Sequence, residues 1–195
     1  MIKLLAKIIS VFSSPLILLL PTPYLLVFKE TSDVWLSLKW TAFSYIFLFS
    51  MVFFVIAGTF LGFFSDFDVS KKSERPLLFA GGGFIAFLYL AVLIIFGAPK
   101  ILYVLILGII LGVVAVSIAN RWAKVSIHTS TAAAFSLSLV IMYGAGLLPI
   151  LFLPLIMGWA RVKVKKHTPQ EAFLGGFLGA VLTIIVYVTV KILSF

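Results

Sequence analysis

The sequence has no cysteine and very little charge, and both absences narrow what the protein can be. Without cysteine there are no disulfides, no thiolate metal sites and no thiol nucleophiles. Charged residues make up 11% of the 195 residues, 63% are apolar, and the mean hydropathy is +1.26. Soluble domains are far less apolar than this. Apolar runs of about 20 residues, which match the hydrocarbon thickness of a bilayer, recur along the chain. Lipid is therefore the solvent in which we expect this chain to fold.

Acidic residues are also scarce, with 6 against 15 lysines and arginines, which gives a formal charge of +9. Such an excess suits nucleic acid, but these basic residues lie between apolar runs and lack the polar surroundings of a nucleic-acid-binding surface. We therefore expect no nucleic-acid partner. Lipid headgroups are the anionic partner that the pattern favours. The oligomeric state is left open.

The apolar runs are expected to be helices, because backbone amides in lipid need internal partners and no alternating strand pattern is present. Seven runs fit, at residues 4–28, 37–64, 77–96, 101–119, 126–143, 147–160 and 172–193. Pro15, Pro21 and Pro23 in the first run predict a kink or a re-entrant segment, which would leave six crossings. The prediction is an all-α polytopic transmembrane bundle of six or seven spans, forming a single domain over residues 1–195.

Residues 126–160 present a choice between one long helix and a hairpin. At 1.5 Å per residue a single helix would exceed about 50 Å, against a hydrocarbon core of about 30 Å. Gly144-Ala145-Gly146 offers a turn. We therefore predict a hairpin.

Charge placement predicts the orientation of the loops. If loops alternate between two faces, one face receives most of the basic residues: Lys3, Lys7, Lys71, Lys72, Arg75, Arg121, Lys124, Arg161, Lys163, Lys165 and Lys166. The other face receives Lys29, Lys39, Lys100 and Lys191. By the positive-inside rule the first face is expected to be cytoplasmic.

Three loops of that face, at residues 65–76, 120–129 and 161–171, contain both histidines of the chain, His128 and His167. Two crossings separate each loop from the next, so all three are expected at the same membrane surface, where a lipid headgroup would lie. One composite site is predicted there, with the histidines beside Arg75, Lys124 and Arg161. Cations together with two imidazoles suggest phosphoryl chemistry.

The physical reason is that the negative oxygens of a phosphate ester repel a nucleophile. Guanidinium and ammonium groups neutralise that charge, and arginine binds phosphate in a bidentate manner. A neutral imidazole can attack phosphorus, and a protonated one can give its proton to the departing alkoxide near neutral pH. Two histidines can divide these roles.

These loops resemble the three motifs of the type-2 phosphatidic acid phosphatase superfamily, Lys-x6-Arg-Pro, Pro-Ser-Gly-His and Ser-Arg-x5-His-x3-Asp. The third motif is matched by Ala160-Arg161, by His167 after five residues and by Glu171 after three more. The second is matched by Val125-Ser126-Ile127-His128, and the first keeps Arg75-Pro76 with Asp68 at the lysine position. An additional helical pair between the first two motifs, and glutamate for aspartate in the third, depart from the family pattern.

The resemblance implies a metal-independent lipid phosphatase without a cofactor. Its substrate would be a membrane lipid such as phosphatidate, phosphatidylglycerophosphate or a polyprenyl diphosphate. It implies that His167 is the nucleophile and forms a phosphohistidine, that Glu171 orients it, and that His128 protonates the leaving group. Phosphate would be held by Arg75, Arg161 and Ser126. We predict that Lys124 replaces the missing lysine, with Asp68, Lys71 and Lys72 as possible supporting residues.

Other interpretations remain open. Thr168-Pro169-Gln170-Glu171 is a capping box, so Glu171 could serve only to start a helix. Asp66 and Asp68 could bind magnesium diphosphate in a prenyltransferase. The charges could also merely orient a small transporter or assembly protein. Gly175, Gly176 and Gly179 are predicted to permit close helix packing and carry no chemistry.

Overall fold

The computed structural model describes residues 2–192, which are predominantly helical and contain no strand. The α-helices are α1 (Ile2–Phe12), α2 (Pro15–Leu19), α3 (Thr22–Thr31), α4 (Val34–Phe60), α5 (Arg75–Phe96), α6 (Lys100–Ala119), α7 (Ile127–Tyr143), α8 (Leu153–Lys163) and α9 (Pro169–Ile192). Short 3-10 helices cover Lys72–Glu74 and Ala145–Phe152. The predicted all-α class is confirmed. Leu193, the last residue of the seventh predicted run, lies outside the described residues.

Within the described chain, six helical segments are long and apolar enough to cross a membrane: Ile2–Leu19, Val34–Phe60, Lys72–Phe96, Lys100–Ala119, Ala145–Lys163 and Pro169–Ile192. A further apolar helix, Ile127–Tyr143, has 17 residues. This agrees with the prediction of six or seven spans. The protein is an integral, multi-pass membrane protein.

The first predicted run, residues 4–28, is wrong as a single helix because it forms three. Ser14 is extended, with ψ of 156°, and Pro15 begins α2 at a position where a helix needs no N–H. Pro21 follows the end of α2, and α3 starts at the next residue. The predicted kink at the prolines is therefore confirmed, and it divides the run twice.

The second run, predicted at residues 37–64, ends as a helix at Phe60. Gly62 has a φ of 81°, and the N–H groups of Phe63 and Phe64 both donate to the carbonyl oxygen of Gly58, at 2.8 and 3.1 Å. The left-handed glycine reverses the chain and satisfies the terminal carbonyl, so the last four predicted residues form a cap.

The predicted hairpin in residues 126–160 is confirmed. Helix α7 ends at Tyr143, and Gly144 has a φ of 93°, a conformation that a side chain would strain. The chain continues through the 3-10 helix Ala145–Phe152 into α8, and α7 packs against both.

The chain divides into two compact units. The terminal unit combines Met1–Thr22 with Arg121–Phe195, and the central unit is Pro23–Asn120. The terminal unit holds the third predicted loop and residues 121–129 of the second, and the central unit holds the first. The single-domain organisation stays a prediction.

The central unit has its own apolar core. Trp40 of α4, Leu93 of α5 and Leu102 of α6 are buried there. The carboxylate of Glu30, near the end of α3, accepts a hydrogen bond at 3.1 Å from the N–H of Ile101 in the first turn of α6. Burial and this cap together hold α3 beside α6.

In the terminal unit, α7 and α9 pack with their backbones close together. A Cβ atom on Gly175 would overlap the carbonyl oxygen of Ser126, and one on Gly179 would overlap that of Ser130. Close packing is therefore confirmed for these two glycines. It is wrong for Gly176, where an added Cβ would meet nothing within 4 Å. The two contacts hold the start of α9 against the start of α7.

Candidate active site

The second motif forms the start of α7. Ser126 is the N-cap residue, and its Oγ accepts a hydrogen bond from the N–H of Thr129 at 3.4 Å. Ser126 is fully buried, whereas His128, the second residue of the helix, is half-buried. The first turn therefore presents a partly accessible imidazole at the positive end of a helix dipole.

The third motif forms the turn between α8 and α9. Arg161 lies in the last turn of α8 and is 3% exposed. Lys165 adopts a left-handed φ of 59°, and the N–H of Lys166 donates to the carbonyl oxygen of Arg161 at 3.1 Å. This tight reversal places His167, which is also buried, directly before α9.

His167 and Glu171 form the central contact of the site. Nδ1 of His167 lies 2.9 Å from Oε2 of Glu171. A carboxylate only accepts hydrogen bonds, so Nδ1 donates and the lone pair of the neutral ring is on Nε2. The pair thus selects the tautomer in which Nε2 can act as a nucleophile.

The same carboxylate also caps α9. Oε2 of Glu171 accepts from the N–H of Thr168 at 3.2 Å, and Oγ1 of Thr168 accepts from the N–H of Glu171 at 3.2 Å. This is a complete capping box. The structural and the chemical interpretations of Glu171 are therefore compatible, because one oxygen atom serves both contacts.

Two further hydrogen bonds join the second and third motif segments. The N–H of Ser126 donates to the carbonyl oxygen of Glu171 at 3.2 Å, and Nζ of Lys124 donates to the carbonyl oxygen of Lys166 at 2.9 Å. The terminal unit thus brings Lys124 and the start of α7 beside the segment that contains His167. These two loops are neighbours, as the sequence predicts.

Arg161 contacts a residue that the sequence did not identify. Its Nη1 donates to Oγ of Ser10 in α1 at 2.9 Å, and Ser10 is 7% exposed. Ser10 lies four residues after Ala6, which is fully buried on the same helix. The sequence does contain a local signal for this contact: a serine in an apolar helix, four residues after a small alanine and therefore on the same face of the helix.

The first motif lies in the central unit. Arg75 is the first residue of α5, is 2% exposed, and donates from Nη1 to Oδ1 of Asn120 at 3.0 Å. Asp68 and Lys72 are exposed, and Nζ of Lys71 lies 3.5 Å from Oε1 of Glu74. The roles of Arg75 and of the three supporting residues stay predictions from the sequence.

The fold and the side-chain arrangement together define a class, a helical membrane protein in which a buried histidine contacts a half-buried carboxylate at the start of α9, beside the start of α7. No family model matches the chain, and neither does any curated protein or solved structure.

Proposed function

We propose that the protein is a lipid phosphatase of the type-2 phosphatidic acid phosphatase class. It would hydrolyse a phosphomonoester or diphosphate of a membrane lipid through a phosphohistidine on His167. The observation that carries this proposal is the 2.9 Å contact between Nδ1 of His167 and Oε2 of Glu171, beside the start of α7 that carries His128. Capping alone would not require a histidine at this position.

In the first step, Nε2 of His167 attacks phosphorus, the N–P bond forms, and the bond from phosphorus to the lipid oxygen breaks. Protonated His128 gives its proton to the departing oxygen, so a phosphomonoester releases a neutral alcohol and a diphosphate releases the lipid monophosphate. The carboxylate of Glu171 stabilises the positive ring of the phosphohistidine through Nδ1. In the second step, neutral His128 takes a proton from water, the water oxygen attacks phosphorus, and the N–P bond breaks to release phosphate.

Cations and helix N–H groups would hold the phosphoryl oxygens. Arg161 and Lys124 of the terminal unit flank the segment with His167, and the first turn of α7 adds its dipole at Ser126. The resemblance assigns the same role to Arg75. In the proposed mechanism, the positive charge of Arg161, Lys124 and the start of α7 would stabilise the negative charge that develops in the transition state.

The substrate class follows from the setting. A lipid would keep its acyl or prenyl tail in the bilayer and present its phosphate at the surface, where charge-bearing loops lie between apolar helices. Charge placement predicts that this surface is cytoplasmic. The proposal covers phosphatidate, phosphatidylglycerophosphate and polyprenyl diphosphates, which share a terminal phosphoryl group.

The test is phosphate release by the full-length protein, purified in detergent, from each of these three lipids. Release from at least one of them at a rate far above the uncatalysed rate is expected. Cooperative thermal unfolding would show that the purified protein is folded. If such protein releases phosphate from none of the three lipids, the proposal is contradicted.

Removing divalent cations with EDTA is expected to leave phosphate release unchanged, because a ring nitrogen is the nucleophile and arginine and lysine carry the balancing charge. The prenyltransferase alternative requires magnesium at Asp66 and Asp68. However, residues 2–192 contain no cluster of three or more histidine or acidic side chains arranged to hold a metal ion. Activity that is lost in EDTA and restored by magnesium would favour that alternative.

Replacing Glu171 by glutamine is expected to separate its two roles. Glutamine also completes a capping box, so the thermal unfolding temperature should change by less than about 2 °C. The neutral amide no longer stabilises the positive ring of His167, so kcat should fall by about 10²- to 10⁴-fold. Glu171→Ala should lose both stability and activity. A fully active glutamine variant would show that the residue serves only as a cap.

Replacing Lys124 by alanine is expected to lower kcat/KM by about a hundredfold, since it removes one cation from the phosphate site. The matched control is Lys163→Ala, which removes an exposed lysine at the end of α8. Steady-state kinetics of both variants provide the measurement. If Lys124→Ala is as active as Lys163→Ala, then Lys124 does not replace the missing lysine of the first motif.

A further inference from the structure

Helix α1 supplies a side chain to the candidate site that none of the three motifs contains. Oγ of Ser10 lies 2.9 Å from Nη1 of Arg161, although 151 positions separate the two residues in the chain. Just after the end of α1, Oγ of Ser13 lies 3.6 Å from Sδ of Met157 in α8. Helices α1 and α8 pack side by side, and Arg161 is buried beside their contact.

The chemistry of this partner matters because Arg161 is 3% exposed. A buried guanidinium must have its N–H groups paired, and a carboxylate would pair them while cancelling the positive charge. A serine hydroxyl also accepts the hydrogen bond, but it is neutral. This contact fixes Nη1 in place and itself adds no negative charge beside Arg161.

The central unit shows the same arrangement around the other arginine of the motifs. Arg75 is 2% exposed and donates from Nη1 to Oδ1 of Asn120, which is a neutral amide oxygen and is itself 6% exposed. In each unit, a buried arginine that the sequence assigns to phosphate binding donates a hydrogen bond to a neutral side-chain oxygen.

We infer that Ser10 is a positioning residue, an inference that rests on the proposed function. It orients the guanidinium of Arg161 toward a phosphoryl group, and as a neutral partner it adds no negative charge that would compete with this group. Helix α1 is then part of the phosphate site through Arg161, in addition to being a membrane segment.

The experiment compares Ser10→Asn with Ser10→Asp in the full-length protein in detergent. The two side chains have the same shape and differ in charge, and both can accept from Arg161. The probe is inorganic phosphate, with its Kd measured by equilibrium titration. We expect Ser10→Asn to stay within about threefold of the wild-type Kd, and Ser10→Asp to bind at least about tenfold more weakly.

Ser10→Ala extends the test, because it removes the hydroxyl oxygen and adds no atom that could clash with the neighbouring side chains. It is expected to weaken phosphate binding by about three- to tenfold, with KM for the lipid raised by the same factor and kcat affected less. The matched control is Ser13→Ala, which changes a buried serine just after α1 whose hydroxyl donates to the carbonyl oxygen of Ile9 at 2.6 Å. It should leave the phosphate Kd unchanged.

Arg161→Ala provides the second check. In that background, Ser10→Ala should have no further effect on the phosphate Kd, because the two residues act as one unit. A Ser10→Asp variant that binds phosphate as well as Ser10→Asn would overturn the inference, and so would an unchanged Kd in Ser10→Ala. If the larger asparagine and aspartate side chains prevent folding, the phosphate Kd of Ser10→Ala alone decides whether Ser10 positions Arg161.

The outcomes also separate this inference from the proposed function. If wild-type protein releases phosphate from a lipid while the asparagine and aspartate variants behave alike, only the role of Ser10 is rejected. If the expected order of phosphate affinities holds but no lipid is hydrolysed, the phosphatase proposal is rejected and the anion site with its positioning residue stands.

Discussion

Replacing His167 by asparagine is expected to reduce phosphate release by at least about 10³-fold, because the substitution removes the nitrogen that attacks phosphorus. The asparagine amide can still donate a hydrogen bond to Glu171, which accepts from Nδ1 of His167 at 2.9 Å in the wild-type protein. The start of α9 should therefore keep its structure. The measurement is kcat for the preferred lipid, together with the thermal unfolding temperature.

The matched control for His167→Asn is Gln170→Ala, which changes an exposed residue in the first turn of α9. It should retain wild-type activity to within about twofold, since exposed substitutions of this kind change stability little. Equal phosphate release by His167→Asn and the wild-type protein would exclude His167 as the nucleophile. The capping box would then be sufficient to explain the glutamate contact.

Replacing Gly179 by alanine is expected to destabilise the terminal unit severely. The added Cβ would overlap the carbonyl oxygen, the carbonyl carbon and the Cα atom of Ser130, all of which are backbone atoms of α7. Backbone cannot move aside as a flexible side chain can, so α7 and α9 must separate. We expect a loss of about 3 kcal/mol or more, and hence little folded protein in detergent.

Gly176 provides the control for Gly179, because it lies on the same helix and an added Cβ would meet nothing within 4 Å. Replacing it by alanine should stabilise the helix by up to about 1 kcal/mol, since alanine has the higher helix propensity. The two variants thus make the same chemical change with effects of opposite sign. Equal unfolding temperatures for both would contradict the described packing of α7 on α9.

Local features of the sequence were sufficient to predict most of the fold. Apolar length indicated the helices, and the prolines at 15 and 21 indicated where the first run breaks. The glycine at 144 indicated the hairpin. These features act through neighbouring residues, so a single sequence displays them. The ends of helices were less predictable. The second run was predicted to continue to Phe64, because the residues that fold back onto Gly58 after the end of α4 are still apolar.

The contacts between distant residues explain what the sequence did not reveal. Gly176 and Gly179 look alike in the chain, and only the position of α7 shows which of them needs to be glycine. Ser10 and Arg161 are likewise joined by tertiary packing and share no motif. The contact between His167 and Glu171 was expected from the resemblance to the third motif; helical spacing does not account for it, because His167 precedes the start of α9.

The proposed mechanism requires His167 to carry the phosphoryl group during turnover. The most direct test is a single-turnover reaction with a lipid substrate, quenched under alkaline denaturing conditions that preserve phosphohistidine and analysed by peptide mass spectrometry. We expect one added phosphoryl group on the peptide that contains His167, appearing before free phosphate accumulates, and none in His167→Asn. Phosphate release without any labelled peptide, or with the label on another residue, would contradict the proposed mechanism.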